Sequence, residues 1–342
     1  MGEADYRVGP LPAAAADGVA DDVDDGEVTP LREQVETRSA RVDPARHGMR
    51  LDRALVALAP EFSRTHLQGL IAAGCVRLDG APATQASRKV LAGQELAVDL
   101  VPTAESRAFR PQAMALCVVF EDAHLMVIDK PAGLVVHPAS GHWQGTLLNG
   151  LLAWHAGAAS LPRAGIVHRL DKDTSGLMVV GKTLAAVTAL TRAIAAREVR
   201  REYFALVHGI WPAALTLVDA PVGRDPRSRV RMAVLASGRS AQTEFERVAV
   251  DVAGPDGGAS ALRCSLRTGR THQIRVHAAS RGHPLVGDEL YGGRPALGLE
   301  RQALHAARLA FAHPVEGARL AFEAPLPPDL AAAWESVAGA PH

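Results

Sequence analysis

Gly165-Ile-Val-His-Arg-Leu-Asp-Lys-Asp-Thr-Ser-Gly-Leu-Met-Val-Val180 contains two short apolar runs on either side of a polar segment. This pattern predicts a strand, a polar turn and a second strand. Such a turn holds one carboxylate, Asp171, at a strand end beside a fixed cation, where it can be buried yet remain ionised. An ionised, partly desolvated carboxylate is suited to nucleophilic attack. The alternative is a plain hairpin connection, because Asp, Ser, Thr and Gly are common turn residues.

Further motifs of mixed composition occur along the chain on both sides of this stretch. In order they are Val119–Pro138, Gly145–Asn149, Arg201–Gly209, Arg267–His277, His283–Asp288, Tyr291–Arg294 and Gln302–His305. Together with His168-Arg-Leu-Asp-Lys-Asp-Thr-Ser-Gly-Leu177, they resemble the RluA/RluD-type RNA pseudouridine synthases, in that family's order. The resemblance covers residues 48 to 330 and is greatest to the RluD-like enzymes of large-subunit ribosomal RNA.

The resemblance implies roles for five residues. Asp171 is expected to be the nucleophile, and Arg275 matches the family's active-site arginine that pairs with it. Tyr203 matches the active-site tyrosine, whose ring lies against uracil and whose hydroxyl can assist removal of the C5 proton. Ile274 is expected to pack around the base pocket, and Arg169 to help extrude the target uridine from folded RNA.

Each of these roles has a structural alternative. Arg275 can instead be a surface arginine on an alternating strand that also carries Thr271 and Gln273 on the same face. Tyr203 can be a core residue, and Arg169 can form an ordinary surface ion pair. Asp173, two positions after the nucleophile, is expected to be structural.

The implied reaction breaks the bond between uracil N1 and ribose C1′ and then joins C5 to C1′. No atoms are gained or lost, so no cofactor is expected. A metal site is not expected either, because Cys75, Cys117 and Cys264 lie far apart and the histidines show no His-Glu-x-x-His spacing.

The segment after Met49 resembles an S4 RNA-binding domain. Leu51, Leu55 and Leu58 recur at helical spacing, and a second helix is predicted after Ser63, which is placed to cap it. The resemblance implies a basic surface for folded RNA, with Arg64 and Lys89 among the candidate contacts.

Charge is distributed unevenly along the 342 residues, although the formal net charge is zero. Residues 1–27 carry eight acids against Arg7, which leaves 36 basic and 29 acidic residues beyond them. A loop at Gly223–Arg231 is expected to contact RNA phosphates. Its arginines are Arg224, Arg227, Arg229 and Arg231.

These observations predict an α+β protein in four parts. Residues 1–47 are expected to be a disordered acidic leader, 48–101 a small S4-like α/β RNA-binding domain, and 102–114 a linker. Residues 115–335 are expected to form the pseudouridine synthase catalytic domain, with a mixed, mostly antiparallel sheet.

The favoured hypothesis is an isomerase that converts specific uridines of large-subunit (23S) ribosomal RNA to pseudouridine, using Asp171 after base flipping. Its expected partner is that RNA or a pre-ribosomal particle. It is expected to be a cytoplasmic monomer without a membrane segment, because no apolar run reaches about 18 residues. The alternatives are a non-catalytic S4-type ribosomal RNA-binding or assembly factor, and a pseudouridine synthase acting on transfer RNA. A hydrolytic nucleosidase is disfavoured, because no second acid is placed to activate water.

Overall fold

A computed structural model describes residues 4–7, 36–60, 64–100, 109–139, 142–228, 230–254 and 257–339. The described residues form two compact units. One contains residues 36–100, and the other contains residues 4–7 with 109–339.

The small unit combines two helices with a four-stranded antiparallel sheet in the order β2-β5-β3-β4. Its elements are β2 (Glu36–Arg41), α1 (Leu51–Leu58), α2 (Arg64–Ala72), β3 (Val76–Leu78), β4 (Ala81–Pro82) and β5 (Glu95–Leu100). Leu51, Leu55 and Leu67 are fully buried in its core, so the helical spacing read from the sequence is confirmed. Gly74, with φ of +77°, follows the end of α2.

The large unit contains one ten-stranded sheet and a separate two-stranded hairpin. Its strands are β1 (Ala4–Arg7), β6 (Cys117–Glu121), β7 (Leu125–Lys130), β8 (Ser175–Gly181), β9 (Arg200–His208), β10 (Leu217–Asp219), β11 (Val222–Arg224), β12 (Met232–Val234), β13 (Gln242–Asp251), β14 (Ala259–Leu266), β15 (Leu304–Ala312) and β16 (Arg319–Glu323). Its helices are α3 (Leu147–Trp154), α4 (Leu184–Ala195), α5 (Gln273–Ser280) and α6 (Pro328–Ala338).

The main sheet runs β10-β13-β14-β9-β15-β8-β7-β6, and β16 pairs with β15 and β1. Only the β15–β8 and β16–β1 pairs are parallel among the described strands. The predicted α+β class with a mixed, mostly antiparallel sheet is therefore confirmed.

Both faces of this sheet are covered. Met126 and Ile128 of β7 point to a core shared with α3 and α5, whereas Leu125 and Val127 point to a core shared with α4. The first core also holds Tyr203 of β9. Because β8 is buried along its whole length, its apolar run has no polar alternation.

The structure corrects two expectations and rules out one structural alternative. Within Gly165–Val180 only the second apolar run is a strand, because residues before it form a turn and Ile166 makes a single bridge to Val180. Inside the predicted disordered leader, β2 pairs with β5 and β1 pairs with β16. Arg275 lies on helix α5, not on an alternating strand. The predicted cap Ser63 and most of the predicted linker lie outside the described residues.

Candidate active site

A cavity of about 690 Å³ opens on the face of the large unit that carries Tyr203. Its wall is built from the segment before β8, from β9, and from the chain between the end of β14 and the start of α5. Asp171, Arg169, Tyr203, Ile274 and Arg275 all line it. Five residues separated by up to about a hundred positions in sequence are thus brought to one place.

Lys130, the last residue of β7, is hydrogen-bonded to the loop that carries Asp171. Lys130 is 1% exposed, and its Nζ donates hydrogen bonds to the carbonyl oxygens of Pro131, Leu134 and Lys172, at 2.8, 2.9 and 2.9 Å. Burial lowers the pKa of Lys130 to about 8. The bond to Lys172 ties β7 to the residue that follows Asp171, so the ammonium fixes the backbone beside the carboxylate.

Arg275 bridges two carboxylates. Its Nη1 donates to Oδ2 of Asp171 at 2.9 Å, while Nε and Nη2 donate to the two oxygens of Asp288 at 2.7 and 2.8 Å. Burial opposes the charge of this guanidinium, but the hydrogen bonds and charges of Asp288 and Asp171 outweigh burial and raise its pKa. The side chain of Asp171 is 13% exposed and forms an ion pair with the buried guanidinium of Arg275.

His272 and Tyr291 lie beside the ion pair formed by Asp171 and Arg275. His272 Nε2 lies 3.8 Å from Asp171 Oδ1, and its Nδ1 lies 2.8 Å from the hydroxyl of Tyr291. That hydroxyl also accepts the backbone N–H of Met232, and the ring of Tyr291 lies 5.1 Å from Arg275 Cζ. Burial lowers the pKa of His272, which keeps it neutral near pH 7. Tyr291 therefore packs against Arg275 and holds His272 beside Asp171.

Tyr203 is 5% exposed, and its side chain faces the cavity from β9. Burial raises the pKa of its phenol, so the hydroxyl stays protonated at neutral pH. A protonated phenol at a cavity wall can donate a hydrogen bond or relay a proton.

The start of α5 is fixed by Gln273, which is 3% exposed. Its Oε1 accepts from the Arg270 backbone N–H and the Thr268 hydroxyl, and its Nε2 donates to the Gln242 carbonyl and the Thr243 hydroxyl. All four hydrogen-bonding positions of the amide are used. The preceding residue, His272, has φ of +56°, and this strained conformation turns its ring toward Asp171.

The cavity wall is strongly basic. Among the described residues that line it, Asp171 is the only acid, against eight arginines. These are Arg163, Arg169, Arg197, Arg201, Arg239, Arg267, Arg270 and Arg275. A concave surface of this charge suits a polyanionic ligand.

Other predicted RNA contacts lie outside this cavity. In the small unit, Arg64 donates to the buried carboxylate of Asp52 at 2.6 Å, while Lys89 is exposed. Arg224 and Arg227 are exposed on and after β11. Arg231 is exposed, and its Cζ lies 5.4 Å from the ring of Tyr291. Arg229 lies outside the described residues.

Sequence reasoning missed several residues of the site. Asp288, His272 and Gln273 belong to quoted motifs but received no role, and Lys130 was not singled out. The signal for Asp288 was present, because a buried active-site arginine needs acceptors for its remaining donors.

No described helix has the length and apolar character required to cross a bilayer. Among the described residues, no three His, Cys, Asp or Glu side chains are grouped as metal ligands.

Comparison with known proteins identifies the family to which the chain belongs. Residues 124–280 match the family model described as RNA pseudouridylate synthase, and residues 49–96 match the S4 domain. The chain belongs to the RNA pseudouridylate synthase family.

Two curated relatives from different bacteria carry the same name. "Ribosomal large subunit pseudouridine synthase D" of Nitrosomonas europaea is 47% identical over 303 residues, which cover 86% of each chain. The protein of that name in Escherichia coli K12 is 42% identical, with 85% of this chain and 91% of that protein covered. Among solved structures, "Human RNA Pseudouridylate Synthase Domain Containing 1" is 26% identical with a TM-score of 0.49, over 68% of this chain and 90% of that one.

Proposed function

We propose that this protein isomerises specific uridines of large-subunit ribosomal RNA to pseudouridine, as a cytoplasmic monomer, with Asp171 as the nucleophile. The observation that carries the proposal is the 2.9 Å ion pair between Asp171 and the buried Arg275, at the wall of a basic cavity. The printed name of the relatives and the S4 match support ribosomal RNA as the substrate.

The chemistry needs one ionised carboxylate. Breaking the bond between N1 and C1′ leaves positive character on the sugar or requires attack on it, and a carboxylate can stabilise or attack C1′. Addition of the same carboxylate to the uracil ring is the other route. In both, the base turns within the cavity, C5 bonds to C1′, and the C5 proton leaves.

The other cavity residues take roles around that step. Arg275 orients Asp171 through the hydrogen bond from Nη1 to Oδ2. The ring of Tyr203 packs against the base and its hydroxyl relays the C5 proton, while Ile274 closes the pocket. Arg169, exposed at the cavity mouth, stacks on the RNA from which the uridine has been extruded.

RNA outside the pocket is bound by basic side chains of both units. In the large unit these are the loop residues Arg224, Arg227, Arg229 and Arg231. In the small unit Lys89 is open to solvent, whereas Arg64 shares its charge with Asp52. A phosphate contact at Arg64 is therefore weaker than one at Lys89.

The test is pseudouridine mapping of ribosomal and transfer RNA from cells that lack the protein. The cells are rescued with the native form, with Asp171→Asn, or with Asp173→Asn. Large-subunit sites should disappear and return with the native protein and with Asp173→Asn, the neighbouring carboxylate, but not with Asp171→Asn.

Other outcomes reject parts of the proposal. Loss of transfer RNA sites alone would move the substrate to transfer RNA. If mapping is unchanged while ribosome assembly fails and Asp171→Asn restores it, the protein acts as a binding factor. Full rescue of the mapped sites by Asp171→Asn would remove the catalytic role of Asp171.

A further inference from the structure

Arg201 is a buried arginine at the cavity wall, and no carboxylate of the described residues pairs with it. It lies on β9 and is only 7% exposed, and its Nε is buried without a hydrogen-bond acceptor in the part of the chain that the structure describes. Arg275 is buried to the same degree, at 6% exposed, but all three of its donor nitrogens are bonded to carboxylates. Two carboxylates therefore neutralise Arg275, whereas the described residues provide no counter-ion for Arg201.

The lack of a partner is energetically unfavourable. A guanidinium cannot release its proton in a protein, so burial does not neutralise it as it can a lysine. A buried charge without a counter-ion destabilises the folded chain. Such a residue is best explained by an anion that comes from outside the protein.

The groups around Arg201 also favour an anion that comes from outside the protein. A Cβ placed on Gly269 would lie 2.8 Å from Arg201 Nη1, so the guanidinium lies against the loop between β14 and α5. Arg197, Arg267 and Arg270 line the same cavity. Asp171, the one acid among the described residues of the wall, is already paired with Arg275.

Position along β9 identifies the kind of anion. Arg201 and Tyr203 are two residues apart, share one face of the strand and both line the cavity. Two strand residues span about 7 Å, which compares with the separation of a base from the phosphate of its own nucleotide. An anion at Arg201 therefore sits where the backbone of a nucleotide would pass if its base lay against Tyr203.

We infer that Arg201 binds a backbone phosphate of the RNA strand at the flipped uridine. The inference rests on the proposed function, and it adds a phosphodiester subsite to the cavity. The planar guanidinium matches two non-bridging phosphate oxygens. The bound phosphate supplies the charge that Arg201 lacks in the free protein.

The first experiment compares Arg201→Met with Arg200→Met. Arg200 is the exposed neighbour on the other face of β9 and does not line the cavity. Because Arg201→Met removes an unpaired buried charge, its melting temperature should equal or exceed that of the native protein. Its affinity for a large-subunit RNA transcript should fall about tenfold, and the slope of log affinity against log salt should fall by about one. Arg200→Met should keep the native slope.

A second measurement does not depend on the RNA substrate. Inorganic phosphate, compared with chloride at equal ionic strength, should raise the melting temperature of the native protein and not that of Arg201→Met. Gly269→Ala, which crowds Nη1 but keeps the charge, should give a reduced phosphate shift.

The outcomes separate this inference from the proposed function. If native protein forms pseudouridine but Arg201→Met keeps native affinity and salt slope, the phosphate subsite is wrong while the function stands. A melting temperature lowered by Arg201→Met would also overturn it, because Arg201 would then be a structural residue. If native protein forms no pseudouridine, the function fails, and the phosphate shift still decides whether Arg201 holds an anion.

Discussion

At the scale of single residues, the centre of the site is a guanidinium shared by two carboxylates. Asp288 is 1% exposed and takes two donors of Arg275, which leaves one nitrogen for Asp171. Since Asp288 sets the plane of the guanidinium, it also sets the direction from which Asp171 is stabilised. Asp288 is a positioning residue that acts through Arg275 and has no expected contact with the substrate.

Asp288→Asn should lower kcat more than it changes KM. The amide keeps the shape of the side chain but accepts only one of the two bonds, so Arg275 can rotate toward Asp171. Misplacement of this kind costs about 100-fold in rate. Steady-state kinetics on an RNA transcript checks the split between kcat and KM. Glu289→Gln, the exposed neighbouring acid, is the control and should keep native values. An Asp288→Asn enzyme with native kcat would show that Asp171 needs no such alignment.

At the scale of elements, the site depends on the end of β7. Lys130 ends that strand with its ammonium turned into the protein, where three carbonyl oxygens surround it. One belongs to Lys172, and the backbone N–H of Gly133 donates to the same oxygen at 3.0 Å. Two bonds thus join the segment after β7 to the loop that carries Asp171.

Lys130→Met should destabilise the large unit and slow the enzyme together. The thioether fills much of the lysine volume but removes the three hydrogen bonds from the ammonium to the carbonyl oxygens of Pro131, Leu134 and Lys172, a loss of about 3 kcal/mol in the free energy of unfolding. Urea unfolding measures the stability, and kcat shows whether the loop still places Asp171 correctly. Lys172→Met is the matched control, because Lys172 takes part through its backbone oxygen and its side chain is exposed. Equal stability of Lys130→Met and native protein would contradict this account.

The same elements show how far sequence reasoning reaches. The fold class and the grouping of Asp171, Tyr203 and Arg275 could be predicted because their motifs are long and mixed in character. The helix α5 was not predicted, because Gln273–Ala278 is buried on all sides and shows no amphipathic period, while Ile274 and Val276 favour a strand. Strand β2 was missed for a related reason: its polar sequence has no alternation, and its pairing with β5 depends on distant backbone groups.

At the scale of the whole molecule, the site exists only once the large sheet is assembled. Arg275 and Asp171 are 104 residues apart, and the pairing of β15 with both β8 and β9 brings their supporting strands together. The packing that achieves this buries histidines as well as apolar residues. His305 is 1% exposed, with Ser175 Oγ and the Ala324 carbonyl at its two nitrogens. His168 accepts the Val179 N–H with Nε2 and has a buried Nδ1.

These two histidines should make the large unit sensitive to mild acid. Burial lowers the pKa of His168 to about 3 and that of His305 to about 4, whereas unfolded histidine titrates at about 6.5. Between pH 6.5 and 4 the unfolded chain therefore binds more protons, so stability falls as pH falls. From pH 6.5 to 5 each histidine removes up to about 2 kcal/mol from the free energy of unfolding.

One carboxylate opposes this trend. Burial raises the pKa of Asp129 to about 6, so its protonation below that value favours the folded state. Burial also lowers the pKa of His137 to about 4, so with this third histidine the net loss expected from pH 6.5 to 5 is about 3 to 4 kcal/mol. The four tryptophans, Trp143, Trp154, Trp211 and Trp334, all lie in the large unit, so urea unfolding followed by their fluorescence isolates it. His305→Gln should flatten the pH dependence by about half, and Asp129→Asn should steepen it. A free energy of unfolding that is the same at pH 6.5 and 5 would mean that these histidines are protonated in the folded protein.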